Sequence, residues 1–166
     1  IAALPKDLES SEIEVRLGAK WFDKKYIEQF MYETFETPRY LRGQIEISYV
    51  PYTAEWQVSR KSMVRYNDVA AFTTYGTDRA SAYRLLEDAL NLRDIRIYDT
   101  IEDADGRERR VLNAKETTLA AQKQQLIRDA FKDWIWKDPE RRETLVRQYN
   151  EEMNSTRPRE YAGRHI

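Results

Sequence analysis

The stretch that decides the fold is AKETTLAAQKQQLIRDAFKDWIWK, which runs from Ala114 to Lys137. Its apolar residues recur at spacings of three, four and seven, and this period predicts one long amphipathic helix. Asp138-Pro139 then ends the helix and begins another, with Asp138 as N-cap and Pro139 in the first turn. We expect the buried stripe of the first helix to be Leu119, Leu126, Ile127, Ala130, Phe131, Trp134 and Ile135.

The second helix is predicted to run to about Asn154, where a polar tail begins. It pairs with the long helix if its apolar residues face inward. Those residues are Leu145, Val146, Tyr149 and Met153.

Upstream of this helical pair, alternating apolar and polar residues predict strands. We expect a short strand over Glu12–Leu17, followed by a β-hairpin formed by Gln44–Tyr49 and Glu55–Ser59. A second hairpin is expected to join Asp94–Asp99 to Arg107–Leu112. Its Asp105-Gly106 pair favours a type I′ turn, in which both central residues have positive φ.

Two shorter helices complete the interpretation. Asp23 is placed as the N-cap of a helix to about Glu36, and Gly76-Thr77-Asp78 as a break and cap for a helix over Arg79–Asn91. The stretch Asn67–Thr74 fits a strand or a helix equally well. The expected apolar faces are Ile27, Phe30, Met31 and Phe35 on the first helix, and Tyr83, Leu86 and Leu90 on the second.

These elements predict an α+β fold in which a small antiparallel sheet of β-hairpins packs on helices and a C-terminal helical pair closes the structure. We divide the chain into an α+β core over residues 1–113, the helical pair over 114–154, which packs on that core, and a linker over 155–166. The chain starts at Ile1 without a methionine and ends on a polar stretch, so we expect a segment of a longer protein.

Composition excludes several kinds of chemistry. Lys and Arg number 28 against 29 Asp and Glu, so the surface is densely charged without the basic coat of many DNA-binding domains. The sequence has no cysteine, which excludes disulfides and thiolate metal sites and favours the cytoplasm. No apolar run approaches the roughly 20 residues that cross a bilayer, so we expect no membrane partner.

Catalytic motifs are missing as well. The five glycines form neither a dinucleotide-binding nor a P-loop motif, and His165 is the single histidine. Histidine-based metal clusters and Ser-His-Asp triads are therefore excluded by count. Glu102, Asp103 and Asp105 could hold a divalent ion, although the solvated tip of a hairpin explains them better. We expect no catalytic residue, no metal site and no cofactor.

Basic residues alternate with aromatic ones in two places, Arg60–Tyr66 and Thr73–Arg79. Such mixtures can bind phosphates and stack on unpaired bases. A helix N-terminus after Gly76-Thr77 could also bind a phosphate with the help of Arg79, or Thr77 could simply cap that helix. The candidate nucleic-acid-binding residues are Arg60, Lys61, Arg65, Tyr75, Thr77 and Arg79.

Several stretches together resemble a known family. They include Val15-Arg16-Leu17-Gly18-Ala19-Lys20-Trp21, Leu86-Glu87-Asp88-Ala89-Leu90-Asn91-Leu92-Arg93-Asp94 and Val111-Leu112-Asn113-Ala114-Lys115-Glu116-Thr117. To these belong Pro5-Lys6-Asp7-Leu8, Thr73-Thr74-Tyr75-Gly76-Thr77, Phe131-Lys132-Asp133-Trp134-Ile135, Asp138-Pro139-Glu140-Arg141-Arg142 and Asn154-Ser155-Thr156-Arg157-Pro158-Arg159-Glu160-Tyr161. They are similar to the segment preceding the Swi/Snf-type, superfamily-two helicase region of large helicase/adenine-specific DNA methyltransferase proteins of bacterial conjugative elements and phages.

The resemblance implies a location, because the helicase motifs of such proteins lie downstream and the methyltransferase motif lies upstream. It assigns no catalytic residue to this segment. We therefore expect a non-catalytic accessory domain that assists DNA engagement, with DNA and the flanking helicase and methyltransferase regions as partners. The alternative is a structural connector that docks against those regions without touching DNA and presents an exposed apolar patch.

Overall fold

The computed structural model describes residues 6–154. The predicted linker over 155–166, with His165, lies outside the described residues, as do residues 1–5. Within the described range the fold is α+β, as predicted, with two antiparallel two-stranded sheets and a C-terminal helical pair.

Helix α1 spans Lys24–Thr34 and begins as predicted, because the Asp23 side chain accepts a hydrogen bond of 2.9 Å from Lys25 N. It ends just before Glu36, whose φ of 49° leaves the helical region. All four apolar residues expected on its buried face are fully buried: Ile27, Phe30, Met31 and Phe35.

The first predicted hairpin is confirmed, with shorter strands. Strand β1 spans Ile47–Val50, strand β2 spans Glu55–Val58, and Ile47 pairs with Val58. Helix α2, Ala82–Leu90, holds this hairpin through two side chains. Glu87 Oε2 accepts from Val58 N at 2.8 Å, and the Asn91 amide bonds both Trp56 N and Trp56 O.

Two segments with strand-like alternation form no strand. Residues 13–17 and 94–97 bury every second side chain but belong to neither sheet of the described structure. In the second segment, side chains of the long helix replace a partner strand: Ile95 N donates to Gln124 Oε1 and Ile97 N donates to Thr117 Oγ1. Burial on one side is enough to produce a period of two, so the strand predictions for these residues are wrong.

The second hairpin consists of β3, Tyr98–Glu102, and β4, Glu108–Leu112. The predicted type I′ turn is wrong, because Gly106 has a φ of 83° whereas Asp105 has no positive φ. Gly106 N donates to Asp103 O and Asp103 N donates to Arg107 O, which suits a three-residue loop with one left-handed glycine. Every residue of β4 is exposed, so this hairpin projects from the body.

Helix α3 spans Ala114–Lys137, as predicted, and Asn113 caps it by accepting from Glu116 N at 2.9 Å. Its buried face differs from the predicted stripe: Leu119 and Leu126 are 40% and 43% exposed. The helix is rotated about its axis relative to the prediction, so that the polar residue Gln124 lies on the buried face. The residues that face inward are Ala120, Gln124, Ile127, Phe131 and Ile135.

Gln124 explains that orientation. Besides bonding Ile95 N, its amide nitrogen donates to Leu85 O and Arg93 O at 3.3 and 3.0 Å. One buried side chain thus satisfies backbone groups of two neighbouring segments, which need partners away from water.

Helix α4 spans Pro139–Tyr149 and continues as one π-helical turn, Asn150–Asn154. The predicted N-cap is confirmed, since Asp138 Oδ2 accepts from Arg141 N at 2.8 Å. Leu145 is fully buried as expected, whereas Met153 is 41% exposed and does not face inward.

The core is continuous from Ile13 to Leu145 and draws on both the upstream elements and the helical pair. Phe131 of α3 meets Phe30 of α1 edge-to-face, with ring centroids 5.1 Å apart. None of the helices in the described range has the length and apolar character needed to span a membrane.

Candidate nucleic-acid interface

A groove of about 520 Å³ lies between residues 60–72 and the start of α2. Four cationic side chains line it, together with two aromatic rings, the hydroxyls of Ser62 and Ser81, and one carboxylate, Asp78. The cations are Arg60, Lys61, Arg79 and Arg84, and the rings are Tyr66 and Phe72. Arginine, lysine and exposed aromatic rings are the groups that bind phosphates and stack on bases.

Residues 60–72 reach this place through a series of tight turns. Arg60 adopts a left-handed conformation with a φ of 54°, and a 3₁₀ turn follows over Lys61–Met63. The turn Arg65–Asp68 closes with a bond from Asp68 N to Arg65 O, and Asp68 Oδ1 accepts from Ala71 N. The ambiguous stretch Asn67–Thr74 ends in a π-helical turn, Ala70–Thr74.

Tyr66 presents an aromatic ring to solvent at the groove. Its side chain is 85% exposed, and its ring lies 5.4 Å from that of Phe72 at an interplanar angle of 31°. Phe72 in turn packs against the hydrophobic core. The Tyr66 ring is therefore held in place on one side while remaining accessible to a ligand.

Two of the four cations keep their charge available. Arg60 Nη1 donates to Gln44 Oε1 and Arg84 Nη1 donates to Arg79 O, both at 3.3 Å. Neither arginine lies within salt-bridge distance of a carboxylate in the described structure. Arg84 also interacts electrostatically with the Asp88 carboxylate, outside salt-bridge distance, and both guanidinium groups can still contact an anion in the groove.

The other two cations are engaged. Lys61 Nζ lies 2.8 Å from Glu87 Oε2, and Arg79 Nη1 lies 2.8 Å from Asp99 Oδ1. Hydrogen bonds from Arg79 and from Asn113 hold the pKa of the exposed Asp99 carboxyl below its usual range. Lys61 and Arg79 therefore connect the groove to α2 and to the second hairpin.

Of the six residues predicted to bind nucleic acid, the structure brings Arg60, Lys61 and Arg79 together in this groove. The other three do not line it. The Tyr75 ring lies 5.5 Å from that of Phe35, and Thr77 Oγ1 accepts from the backbone N–H groups of Arg79 and Ala80. Arg65 lies in the adjacent turn.

The predicted helix start is wrong. Helix α2 is capped by Ser81, whose hydroxyl accepts from Arg84 N at 3.3 Å, and not by Thr77 or Asp78. Thr77 instead stabilises a local turn, so a phosphate site at its helix N-terminus does not form there. Sequence reasoning missed Arg84 as a result, although a cap at Ser81 would have placed it in the first turn of α2.

The acidic tip of the second hairpin does not form a metal site. Asp103 pairs with Arg109 at 3.0 Å, and Asp105 pairs with Arg107 at 3.6 Å. Between residues 6 and 154 no group of three or more His, Cys, Asp or Glu side chains is arranged to hold a metal ion. These carboxylates thus form a charge-paired solvated surface.

The tryptophans contribute to packing. Trp56 is buried, and Trp134 and Trp136 are half-buried against the core. The Arg141 guanidinium lies 3.6 Å from the centre of the Trp134 ring, and burial there lowers the pKa of Arg141. Tyr66 is the better candidate for stacking on a ligand.

A family model described as "Domain of unknown function (DUF8437)" matches residues 16–155. No curated protein and no solved structure matches the chain.

Proposed function

The chain belongs to the DUF8437 family, and we propose that it is a non-catalytic accessory domain that binds DNA through the groove between residues 60–72 and α2. The observation that carries this proposal is the pairing of two available arginines, Arg60 and Arg84, with the exposed ring of Tyr66 in one groove. Phosphates would contact the guanidinium groups, which bind them with directional hydrogen bonds.

The low net charge agrees with a local contact. With a formal net charge of −1, the chain has no global attraction for DNA, so binding depends on the few cations of the groove. This fits a domain that assists a larger protein. We propose a cytoplasmic helicase/DNA methyltransferase protein of a mobile element as that protein, because the sequence resembles the segment preceding such a helicase region.

The proposal is tested by titrating the chain into labelled single-stranded, duplex and forked DNA at several salt concentrations. We expect binding in the range of tens of micromolar or tighter that weakens as salt rises. Replacing both arginines, Arg60→Gln with Arg84→Gln, removes two phosphate contacts. For a single strand this makes the negative slope of log K against log salt less steep by about 1.4.

The matched control is Arg147→Gln, an exposed arginine of α4 that lines a different groove, between α4 and residues 7–10. It should leave the affinity and the salt dependence unchanged. If no DNA binds with salt dependence in that range, or if the control weakens binding as much as the double variant, the proposal is wrong.

A second candidate function is the structural connector. Leu119 and Leu126 lie seven residues apart on α3, and therefore on one side of it, and both are substantially exposed. Exposed leucines aligned in this way suit docking against a neighbouring domain. Hydrogen exchange tests it: amides of α3 near these leucines should be better protected in the longer protein than in the chain alone, and equal protection would contradict it.

A further inference from the structure

The ring of Tyr66 is 85% exposed in the groove, and such a ring interacts differently with paired and unpaired bases. In a duplex each base is already stacked between its neighbours, so its flat face is not accessible to a protein ring. An unpaired base offers that face, and stacking on an aromatic side chain is the common way of holding a single strand.

The surroundings of Tyr66 suit a nucleotide. The side chains of Val64 and Phe72 line the groove with Tyr66 and supply apolar surface there. Ser62 and Ser81 line the groove and can donate hydrogen bonds. The volume of about 520 Å³ falls in the range of small-ligand sites, which suits a nucleotide-sized unit rather than a double helix.

The positive charges of Arg60 and Arg84 lie in the same groove as the Tyr66 ring. Arg60 precedes the turn that carries Tyr66, and Arg84 lies on the opposite wall in the first turn of α2. A strand with one base on the ring would therefore have its flanking phosphates next to these guanidinium groups. The engaged carboxylates of Glu87 and Asp99 do not line the groove, and among the acidic residues that the structure describes Asp78 alone does.

We propose that the groove selects single-stranded DNA over duplex, with one unpaired base stacked on the Tyr66 ring and the adjacent phosphates held by Arg60 and Arg84. This inference rests on the proposed function and adds the form of DNA that is bound. Phe72 acts as a positioning residue, since its ring lies 5.4 Å from that of Tyr66 and packs against the core.

The test compares the full chain and its Tyr66→Ala and Tyr66→Phe variants, using a labelled oligothymidylate of about 15 nucleotides and a duplex of the same length. The chain should bind the single strand more tightly than the duplex. Tyr66→Ala should weaken single-strand binding by about 5-fold to about 150-fold, which is the cost of losing one stacked base. Tyr66→Phe retains the ring and should stay within about 2-fold of the unaltered chain.

Tyr52→Ala is the matched control, because Tyr52 is 97% exposed at the turn of the first hairpin, the end remote from Arg60. Tyr52→Ala should leave the affinity for single-stranded and duplex DNA unchanged. A 2-aminopurine base in the strand should lose fluorescence on binding, and this quenching should disappear with Tyr66→Ala.

The outcomes separate the two proposals. If duplex and single strand bind equally, or if Tyr66→Ala binds as well as the unaltered chain while Arg60→Gln with Arg84→Gln weakens binding, the single-strand inference is overturned and the DNA-binding function stands. If no DNA of either form binds, both are overturned.

Discussion

Arg79 Nη1 lies 2.8 Å from Asp99 Oδ1, and Arg79 Nη2 also donates to Tyr98 O at 2.9 Å. These bonds join the wall of the groove to the first residues of β3. Arg79 thus lines the groove and also bonds to the second hairpin, and its bonds to the hairpin compete with any phosphate in the groove.

Removing that competition should strengthen DNA binding. We expect Asp99→Asn to raise the affinity for single-stranded DNA by about 2-fold to about 5-fold at low salt, because the Arg79 guanidinium becomes available and one negative charge is lost. Asp103→Asn removes the same charge from the Arg109 pair at the hairpin tip and serves as control. Equal gains from both variants would show that charge alone matters, and not the release of Arg79.

Gln124 should be essential for stability. Replacing it by leucine leaves Ile95 N and Arg93 O without partners in a buried place, so we expect the free energy of unfolding to fall by about 2 to 4 kcal/mol. Gln122→Leu, on the exposed side of the same helix, should change it by less than about 0.5 kcal/mol. Urea unfolding of the two variants measures this difference. Similar losses in both would contradict the assigned role.

Gly76 permits a close approach of two backbone segments beside the groove. A Cβ at this position would overlap Ala71 O and would also meet Ala80 O and Ala82 N at 2.9 Å. We therefore expect Gly76→Ala to lower the free energy of unfolding by at least about 3 kcal/mol.

The control for that substitution is Gly43→Ala. Gly43 has a φ of 89°, and no atom of residues 6–154 lies within 4 Å of the added Cβ, so strain alone should cost about 1 kcal/mol. Thermal unfolding compares the two. A smaller loss of stability for Gly76→Ala than for Gly43→Ala would mean that the backbone segments next to Gly76 can move apart without destabilising the fold.

Tyr83 should give the protein an alkaline limit. Its hydroxyl lies 2.7 Å from Thr37 Oγ1 in the core, and burial raises its pKa from 10.0 to about 12. The unfolded chain therefore loses this proton at lower pH than the folded chain does. The stability that Tyr83 contributes is present below pH 10.0 and is lost as pH rises from there to about 12.

Urea unfolding at several pH values compares the unaltered chain with Tyr83→Phe. Below the ordinary tyrosine range, the variant should be less stable by about 1 kcal/mol, because the hydroxyl contact with Thr37 is lost. The difference should shrink as pH rises through that window. A difference that stays constant would show that Tyr83 does not titrate differently in the folded chain.

Periodicity and caps were sufficient to predict much of the fold. The bounds of α3, the caps Asp23 and Asp138, and the pairing of the first hairpin are local properties, and all are confirmed. The rotation of α3 was not predictable, since it depends on Gln124 finding backbone partners in segments about 30 residues away. A pattern of apolar residues cannot show that a glutamine belongs inside.

The site, like the fold, was predicted only where local sequence determines it. Arg60, Lys61 and Arg79 stood out because they occur beside aromatic residues, whereas Arg84 joins them only through the folding of residues 60–72 against α2. The sequence alone cannot tell whether Tyr66 or Tyr75 is accessible to a ligand. Packing against Phe35 leaves Tyr75 half-buried, whereas the turn Arg65–Asp68 leaves Tyr66 exposed.

The projecting hairpin has a consequence for how the molecule opens. Strands β3 and β4 pair with each other, and the bonds of Arg79 and Asn113 secure their base, while every residue of β4 is exposed. Two-stranded ribbons without a buried face have little stability of their own. The ribbon should therefore unzip from its tip as a separate cooperative unit, exchanging its amide hydrogens long before those of α3 and leaving the rest of the fold intact.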